Sequence, residues 1–205
     1  MKPSISVLLL LVLLLIPGSL SAQSAASPFH QGSWEFNLTG SFGSINNETE
    51  FSSAFYNGSV SEDFKYFQIG IIPGYYITQG LSFEPEINMF AIEGSKPAYM
   101  LLGNVGYTFT IENSMFYPFV HAGYGVTNAF QIPVNTSLSL MSHKLDIGVL
   151  NLGAGLKTKL SESILLRTEI NYRKYSYSPD EAVYGASYSM NLSSIALVFG
   201  FSFLL

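Results

Sequence analysis

The chain has 205 residues, of which 14 are acidic, nine are Lys or Arg and none is Cys, so its formal charge is −5. Because only 11% of the residues are charged and 15% are aromatic, the composition excludes a disordered chain. The lack of Cys excludes a disulfide scaffold and Cys-ligated metal sites. The acidic balance offers no basic surface, so we expect no nucleic-acid partner.

The first 22 residues have the pattern of a secretory signal peptide. Lys2 precedes an apolar run over residues 5–16, and Pro17 and Gly18 end any helix there. Small residues follow, so we predict cleavage near Ala22. The alternative, an uncleaved anchor, is disfavoured because a membrane-spanning helix needs ~20 apolar residues. Residues 23–33 are then predicted to form a short N-terminal periplasmic segment.

The rest of the chain alternates between apolar and small or polar residues with a period of two, which is typical of strands with two different faces. The first segment shows this most clearly, because Trp34, Phe36 and Leu38 share one face. The pattern predicts eight strands and no helix. The predicted strands cover residues 34–42, 64–77, 81–89, 99–109, 116–126, 144–157, 166–173 and 195–203.

The predicted connections alternate in length. Long connections cover residues 44–63, 127–143 and 176–187, a medium connection covers 93–97, and short turns cover 78–80, 112–114 and 161–163. In an up-and-down barrel this places every long connection at one end. Transmembrane barrels have this asymmetry, with short periplasmic turns and longer extracellular loops.

The less apolar face of the strands is small rather than charged, which suits the narrow interior of an eight-stranded barrel. It carries a few charged exceptions of both signs. They are Glu35, Glu84, Glu86, Lys157, Arg167, Glu169 and Arg173. Because an unpaired buried charge is very costly, we predict a structural network inside the barrel. In it, Arg167 and Arg173 pair with Glu35, Glu84, Glu86 or Glu169. The alternative places these charges on the solvated outside of a soluble barrel.

Aromatic residues concentrate near both ends of the strands, which predicts two belts at the interfaces of a bilayer. The belt beside the long loops would comprise Phe64, Tyr66, Phe90, Tyr99, Tyr124, Tyr172, Tyr175 and Tyr188. The belt beside the short turns would comprise Tyr75, Tyr76, Phe83, Tyr107, Phe109, Phe116, Tyr117, Phe201 and Phe203.

With these features the chain resembles the OmpA/OmpX-like family of outer-membrane β-barrels from residue 34 to 205. Residue patterns such as those of segments 74–77, 117–125, 166–169 and 200–203 carry the resemblance. It implies an all-β, eight-stranded antiparallel up-and-down transmembrane barrel over residues 34–205. It also implies a place in the bacterial outer membrane, with membrane lipid and the barrel-assembly machinery as partners. Family members usually end in an aromatic residue, whereas this chain ends in Leu205, two residues after Phe203.

The sequence offers little catalytic chemistry. Ser142, His143 and Asp146 lie close together, but adjacent strand residues point to opposite faces. The lipid A deacylases, which resemble this architecture, carry a His-x-Ser element that this chain lacks. Glu84 and Glu86 share a face and are better interpreted as part of the charge network than as a catalytic pair. We therefore expect no catalytic residues, no metal and no cofactor.

The sequence leaves four functions open. The first is a non-enzymatic barrel that acts structurally or through its extracellular loops on an unknown surface ligand. The second is a small porin-like channel for passive solute passage. The third is a soluble exported lipocalin-like carrier, and the fourth is a lipid-modifying enzyme that uses Ser142 or His143.

Overall fold

The computed structural model describes residues 27–52, 57–92, 97–128, 147–177 and 187–205. The predicted signal peptide, residues 1–22, lies outside this part. The eight predicted strands are confirmed, with the following bounds: β1 Trp34–Ser52, β2 Asn57–Tyr76, β3 Leu81–Ile92, β4 Ala98–Thr108, β5 Phe116–Thr127, β6 Ile147–Lys159, β7 Ile164–Tyr177 and β8 Ser187–Leu204. In the described ranges, no helix is long and apolar enough to cross a membrane.

The strands form a closed antiparallel barrel in which each pairs with its sequence neighbours and β1 pairs with β8. Trp34 and Leu205 exchange two backbone hydrogen bonds where the barrel closes. We call this end, with turns 77–80, 109–115 and 160–163, the turn end. The other four connections join strands at the opposite end, which we call the loop end. Closure satisfies backbone groups without leaving a sheet edge.

Side chains alternate between the two faces as the sequence predicts, with the apolar set outside. Phe36, Ile87, Ile170 and Phe199 are 39%, 53%, 62% and 49% exposed, respectively. A soluble barrel would bury these side chains, because water disfavours a continuous apolar surface. The structure therefore contradicts the lipocalin-like carrier.

The prediction of a loop over residues 44–63 is wrong. Instead, β1 and β2 stay paired through this range, from Ser44↔Lys65 to Ser52↔Asn57. Residues 44–63 lack apolar alternation, the signal used to recognise a strand. Backbone pairing does not require that alternation, and the apolar signal in this range is sparse although Ile45 points inward and is buried. The connections over residues 53–56, 93–96, 129–146 and 178–186 lie outside the described part.

The aromatic belts are partly confirmed and partly corrected. Outward-facing aromatics do occur near both ends, such as Tyr99 and Tyr124 at the loop end and Phe83 and Phe116 at the turn end. Five members assigned to the belts instead point inward and are buried. They are Tyr66, Phe90 and Tyr175 near the loop end and Tyr76 and Tyr117 near the turn end. Position along a strand predicts membership of a belt, but alternation determines whether a side chain points in or out. These five residues have the same parity as the inward polar residues.

One stretch of the barrel wall lacks ladder pairing. The β2–β3 ladder runs to Ile71↔Ile87 and resumes in the same register at Tyr75↔Phe83. In that register Pro73 stands opposite Pro85, and neither residue has an N–H to donate. The other edges are intact, since Pro73 pairs with Phe36 and Pro85 with Gly103. The two prolines therefore interrupt only the β2–β3 seam.

Candidate functional site

The seven charged residues selected from the sequence all point into the barrel and are at most 4% exposed. We call them the lumenal charge network. Glu35 lies on β1, Glu84 and Glu86 on β3, Lys157 on β6, and the remaining three on β7. Strand alternation explains their common direction, since each lies an even number of residues from the other charged members of its strand.

Nearest the turn end, Lys157 pairs with Glu35. The Lys157 Nζ lies 2.6 Å from Glu35 Oε2 and 3.0 Å from the Tyr76 hydroxyl oxygen. Tyr76 also donates to Glu35 Oε2 at 2.5 Å. The ammonium lies over the rings of Phe29, Tyr76 and Phe119 at 5.2–5.7 Å from their centroids. This cation is therefore held by one carboxylate and by three surrounding aromatic rings.

In the middle of the barrel, Arg167 bridges two carboxylates. Its Nη1 lies 3.3 Å from Glu84 Oε2, and its Nη2 lies 2.9 Å from Glu169 Oε2. The guanidinium stacks 4.3 Å from the Phe119 ring centroid. His121 Nε2 lies 2.7 Å from Glu169 Oε1. Arg167 thus ties β7 to β3, and Glu169 ties β7 to β5.

Toward the loop end, Arg173 completes a ring of hydrogen bonds. It donates to Glu86 Oε1 at 2.8 Å, Gln68 Oε1 at 2.5 Å and Asn151 Oδ1 at 3.1 Å. Asn151 donates to Asn104, which donates to the other oxygen of Glu86. The ring crosses the lumen and joins five strands, so few polar groups there depend on solvent.

Buried charges in this arrangement stabilise the fold only while each keeps its partner. Removing ions from water is costly, and pairing with further hydrogen bonds offsets that cost. Inward glycines leave the necessary space. A Cβ added to Gly153 would lie 2.7 Å from Glu169 Oε1, and one added to Gly106 would lie 2.8 Å from Glu84 Oε1. The network is therefore packed as closely as a protein core.

Apolar side chains fill the lumen on both sides of the network. The turn-end cluster comprises Phe29, Tyr76, Tyr117 and Leu165, with Leu204 packed against it. The loop-end cluster comprises Ile45, Tyr66, Phe90, Ala98, Met100, Leu102, Ile147, Val149, Tyr175, Leu192 and Ala196. Strand β7 passes through all three layers in turn. Its inward residues are Leu165 in the turn-end cluster, then Arg167, Glu169 and Arg173 in the network, and then Tyr175 in the loop-end cluster.

The two apolar clusters are not predicted from the sequence. Phe29 precedes the first strand and carries no periodic signal, so nothing in the sequence linked it to the lumen. The sequence does contain a signal for the loop-end cluster, namely the alternation of residues along β2 and β3. Tyr66 and Phe90 share the parity of Gln68 and Asn88 and could have been assigned to the inside. Their proximity to the strand ends favoured the belt interpretation instead.

The described residues hold no arrangement typical of catalysis. Ser142, His143 and Asp146 lie outside the described part of the chain. Within it, His121 lies inside the barrel with its ring against Glu169, and no cluster of three His, Asp or Glu residues could hold a metal ion. Glu84 and Glu86 both contact cationic side chains, Arg167 and Arg173.

Comparison with known proteins identifies the family. Residues 10–203 match the family model of the outer membrane protein beta-barrel domain, so the chain belongs to that family. Among solved structures it is similar to the outer membrane protein OprG from Pseudomonas aeruginosa. The two are 17% identical, with 86% of this chain and 98% of OprG covered at a TM-score of 0.51.

A second similar structure is Neisserial surface protein A, at 16% identity with 88% of this chain and 99% of that chain covered and a TM-score of 0.49. No curated protein sequence matches the chain. The OprG likeness supports the fold alone. Family membership and the outward apolar face place this protein in the lipid bilayer of the bacterial outer membrane.

Proposed function

We propose that this protein is a non-enzymatic outer-membrane barrel with a closed lumen, which acts structurally or through its surface. One observation carries the proposal: apolar clusters fill the lumen at both ends of the charge network. Phe29, Tyr76 and Ile45 are 0% exposed, as are Tyr175 and Lys157. A lumen packed in this way supports the barrel and leaves its outside as the working surface.

The porin-like alternative requires a continuous water path along the barrel axis. An eight-stranded barrel has an interior only wide enough for side chains to fill. Here Arg167 and Arg173 extend across the lumen, and each is held by carboxylates of β3. Opening a path would require these buried pairs to separate, which disfavours passive conduction.

Conductance across a planar bilayer tests the closed lumen. We expect no steady current from the purified barrel under conditions where a general porin, inserted in the same membrane, conducts. Incorporation is checked beforehand by recovering folded barrel from the vesicles. A steady open current from the intact protein would contradict the proposal and support the channel.

The strand lengths support a role at the loop end. β1, β2 and β8 have 19, 20 and 18 residues, whereas β4 has 11 and β5 has 12. About 9–11 tilted residues suffice to cross a bilayer, so the long strands extend well past it. We propose that this end faces outward and the short turns face the periplasm, and that the barrel-assembly machinery inserts the chain.

Epitope tags test this orientation. A tag inserted between Ser52 and Asn57 should bind antibody on intact cells, because this connection joins the two longest strands. A tag after Leu205 should bind only after the outer membrane is permeabilised. The reverse pattern would overturn the proposed orientation while leaving the closed lumen unaffected.

An assay for deacylation of outer-membrane lipid tests the absence of catalysis. We expect no product above the background of the Ser142→Ala and His143→Ala variants. Product that disappears in either variant would show that the barrel is an enzyme, and the non-enzymatic assignment would be wrong.

A further inference from the structure

The segment before the first strand folds back into the turn end of the barrel. We call residues 27–33 the strap. It is attached outside the strand ladder by a few hydrogen bonds. Gly32 N–H donates to the Tyr76 carbonyl at 2.9 Å, and Gly80 N–H donates to the Phe29 carbonyl at 2.9 Å. The Ser27 hydroxyl lies 3.2 Å from that of Thr110.

Turn 77–80 has a backbone conformation that fits the strap. Gly80 has a φ of +77°, a left-handed conformation that glycine adopts without strain. A Cβ at this position would also lie 2.5 Å from the Thr108 carbonyl oxygen. Gly80 therefore connects the strap to β4, because its own carbonyl accepts from Thr108 N–H at 2.8 Å.

Phe29 is the part of the strap that enters the lumen. Its side chain is 0% exposed, although the neighbouring His30 and Gln31 are exposed. Its ring lies 5.0 Å from that of Tyr117, edge to face, and 5.4 Å from that of Tyr76. The Lys157 ammonium lies 5.3 Å from the ring centroid. An apolar wall and a cation facing the ring are the features that select an aromatic side chain.

We propose that the turn end of the barrel contains a socket for an aromatic side chain, which the chain's own Phe29 fills, and that the strap is a removable closure over Lys157. The socket consists of Tyr76, Tyr117, Leu165 and the Lys157 ammonium. Trp34 and Leu205 close the barrel without the strap, so its departure breaks its hydrogen bonds to Tyr76 and Gly80 but leaves the pairing of β1 with β8 intact. A short segment held by a few hydrogen bonds and one buried side chain opens locally, at a lower free energy than the whole barrel.

Thiol accessibility tests the closure, and the lack of Cys in the chain makes a single substituted cysteine a clean reporter. Thr108→Cys places the thiol on a side chain that is 2% exposed, whose hydroxyl lies 3.3 Å from Lys157 Nζ. The folded protein is treated with a charged thiol reagent that does not enter lipid. Gln79→Cys, in the exposed part of the turn, gives the labelling rate of an open site.

We expect slow labelling of Thr108→Cys in the otherwise native chain. Adding Phe29→Ala should raise the rate by roughly 10-fold or more, because the open population grows steeply as contacts are lost. His30→Ala is the matched control on the same strap and should leave the rate unchanged. Ser27→Ala removes the hydroxyl that contacts Thr110 and accepts from Phe29 N–H, and it should give an intermediate rate while the residues of the socket stay unchanged. Folding of each variant is checked by its resistance to detergent before boiling.

Two results would overturn the proposal. One is equal protection of Thr108→Cys with and without Phe29→Ala and Ser27→Ala, which would show that the strap does not cover the lumen. The other is labelling of Thr108→Cys in the otherwise native chain at the same rate as Gln79→Cys, which would show that the socket is not filled. If Phe29→Ala fails to fold, the Ser27→Ala comparison decides between the same outcomes.

Discussion

The Lys157–Glu35 pair shows how a membrane barrel tolerates charge inside. Both side chains are at most 1% exposed and their charged atoms are 2.6 Å apart. Further along the same strand, Lys159 pairs with Glu162, whose side chain is 94% exposed. The first pair depends on its partners because water cannot replace them, whereas water replaces those of the second.

Replacing Lys157 with Met should lower the free energy of unfolding by about 3–5 kcal/mol, since it leaves the Glu35 carboxylate buried without its cation. Adding Glu35→Gln should restore much of the loss. Urea titration in lipid vesicles measures both through the single tryptophan, Trp34, which lies outside at the turn end. Lys159→Met is the control and should not change the transition. Equal losses in the single and double variants would contradict the pairing argument.

Two glycines on opposite faces of the barrel wall give a second prediction. Gly153→Ala should destabilise the barrel by about 1–3 kcal/mol, because the new methyl group would overlap Glu169 and His121. Gly103 faces outward, and a Cβ there would make only an ordinary contact, 3.7 Å from the Phe83 ring. Gly103→Ala should therefore be neutral or slightly stabilising. The same urea titration compares them, and a neutral effect at both positions would show that the lumen is not tightly packed.

At the scale of strands, the interruption between β2 and β3 stands out in an otherwise continuous ladder. The facing carbonyls of Pro73 and Pro85 have no ladder donor opposite. Lipid offers no hydrogen-bond donor in place of the missing N–H groups. This seam is therefore the weakest described part of the wall.

Replacing Pro73 and Pro85 together with Val should restore two ladder hydrogen bonds and raise the free energy of unfolding. A hydrogen bond contributes about 0.5–1.5 kcal/mol, partly offset by about 0.4–1 kcal/mol for each lost proline constraint. We expect a net gain that grows in thicker bilayers. Pro118→Val is the control, since Pro118 keeps its register with Leu156. No gain in the double variant would mean that the seam is satisfied in another way.

At the scale of the whole molecule, closure makes unfolding cooperative, because β1 pairs with β8 and no strand lies at an edge. The barrel should therefore migrate on detergent gels as a compact species when unheated and shift after boiling. Substituting Gly for Phe36 and Phe203, which pair across the closing strands, should lower the temperature of the shift. A band that never shifts would count against a closed barrel in the purified protein.

Much of the fold could be predicted from the sequence because each strand has lipid on one side and the lumen on the other, and this requires apolar side chains at alternate positions. Trp34, Phe36 and Leu38 alternate with Glu35 and Asn37, and a period of two determines both the strand and its two faces. The alternation also placed all seven charged residues on the inward face. Where the alternation is missing, as over residues 44–63, the strands are not predicted from the sequence.

The partners inside the barrel were decided only by the tertiary structure. Lys157 and Glu35 are 122 residues apart, and their contact depends on the shear and closure that bring β6 opposite β1. Phe29 has no periodic context, so only the folded turn end shows that it enters the lumen. Alternation is a local property of the backbone and is written into the sequence, whereas contacts across the lumen depend on how eight strands close.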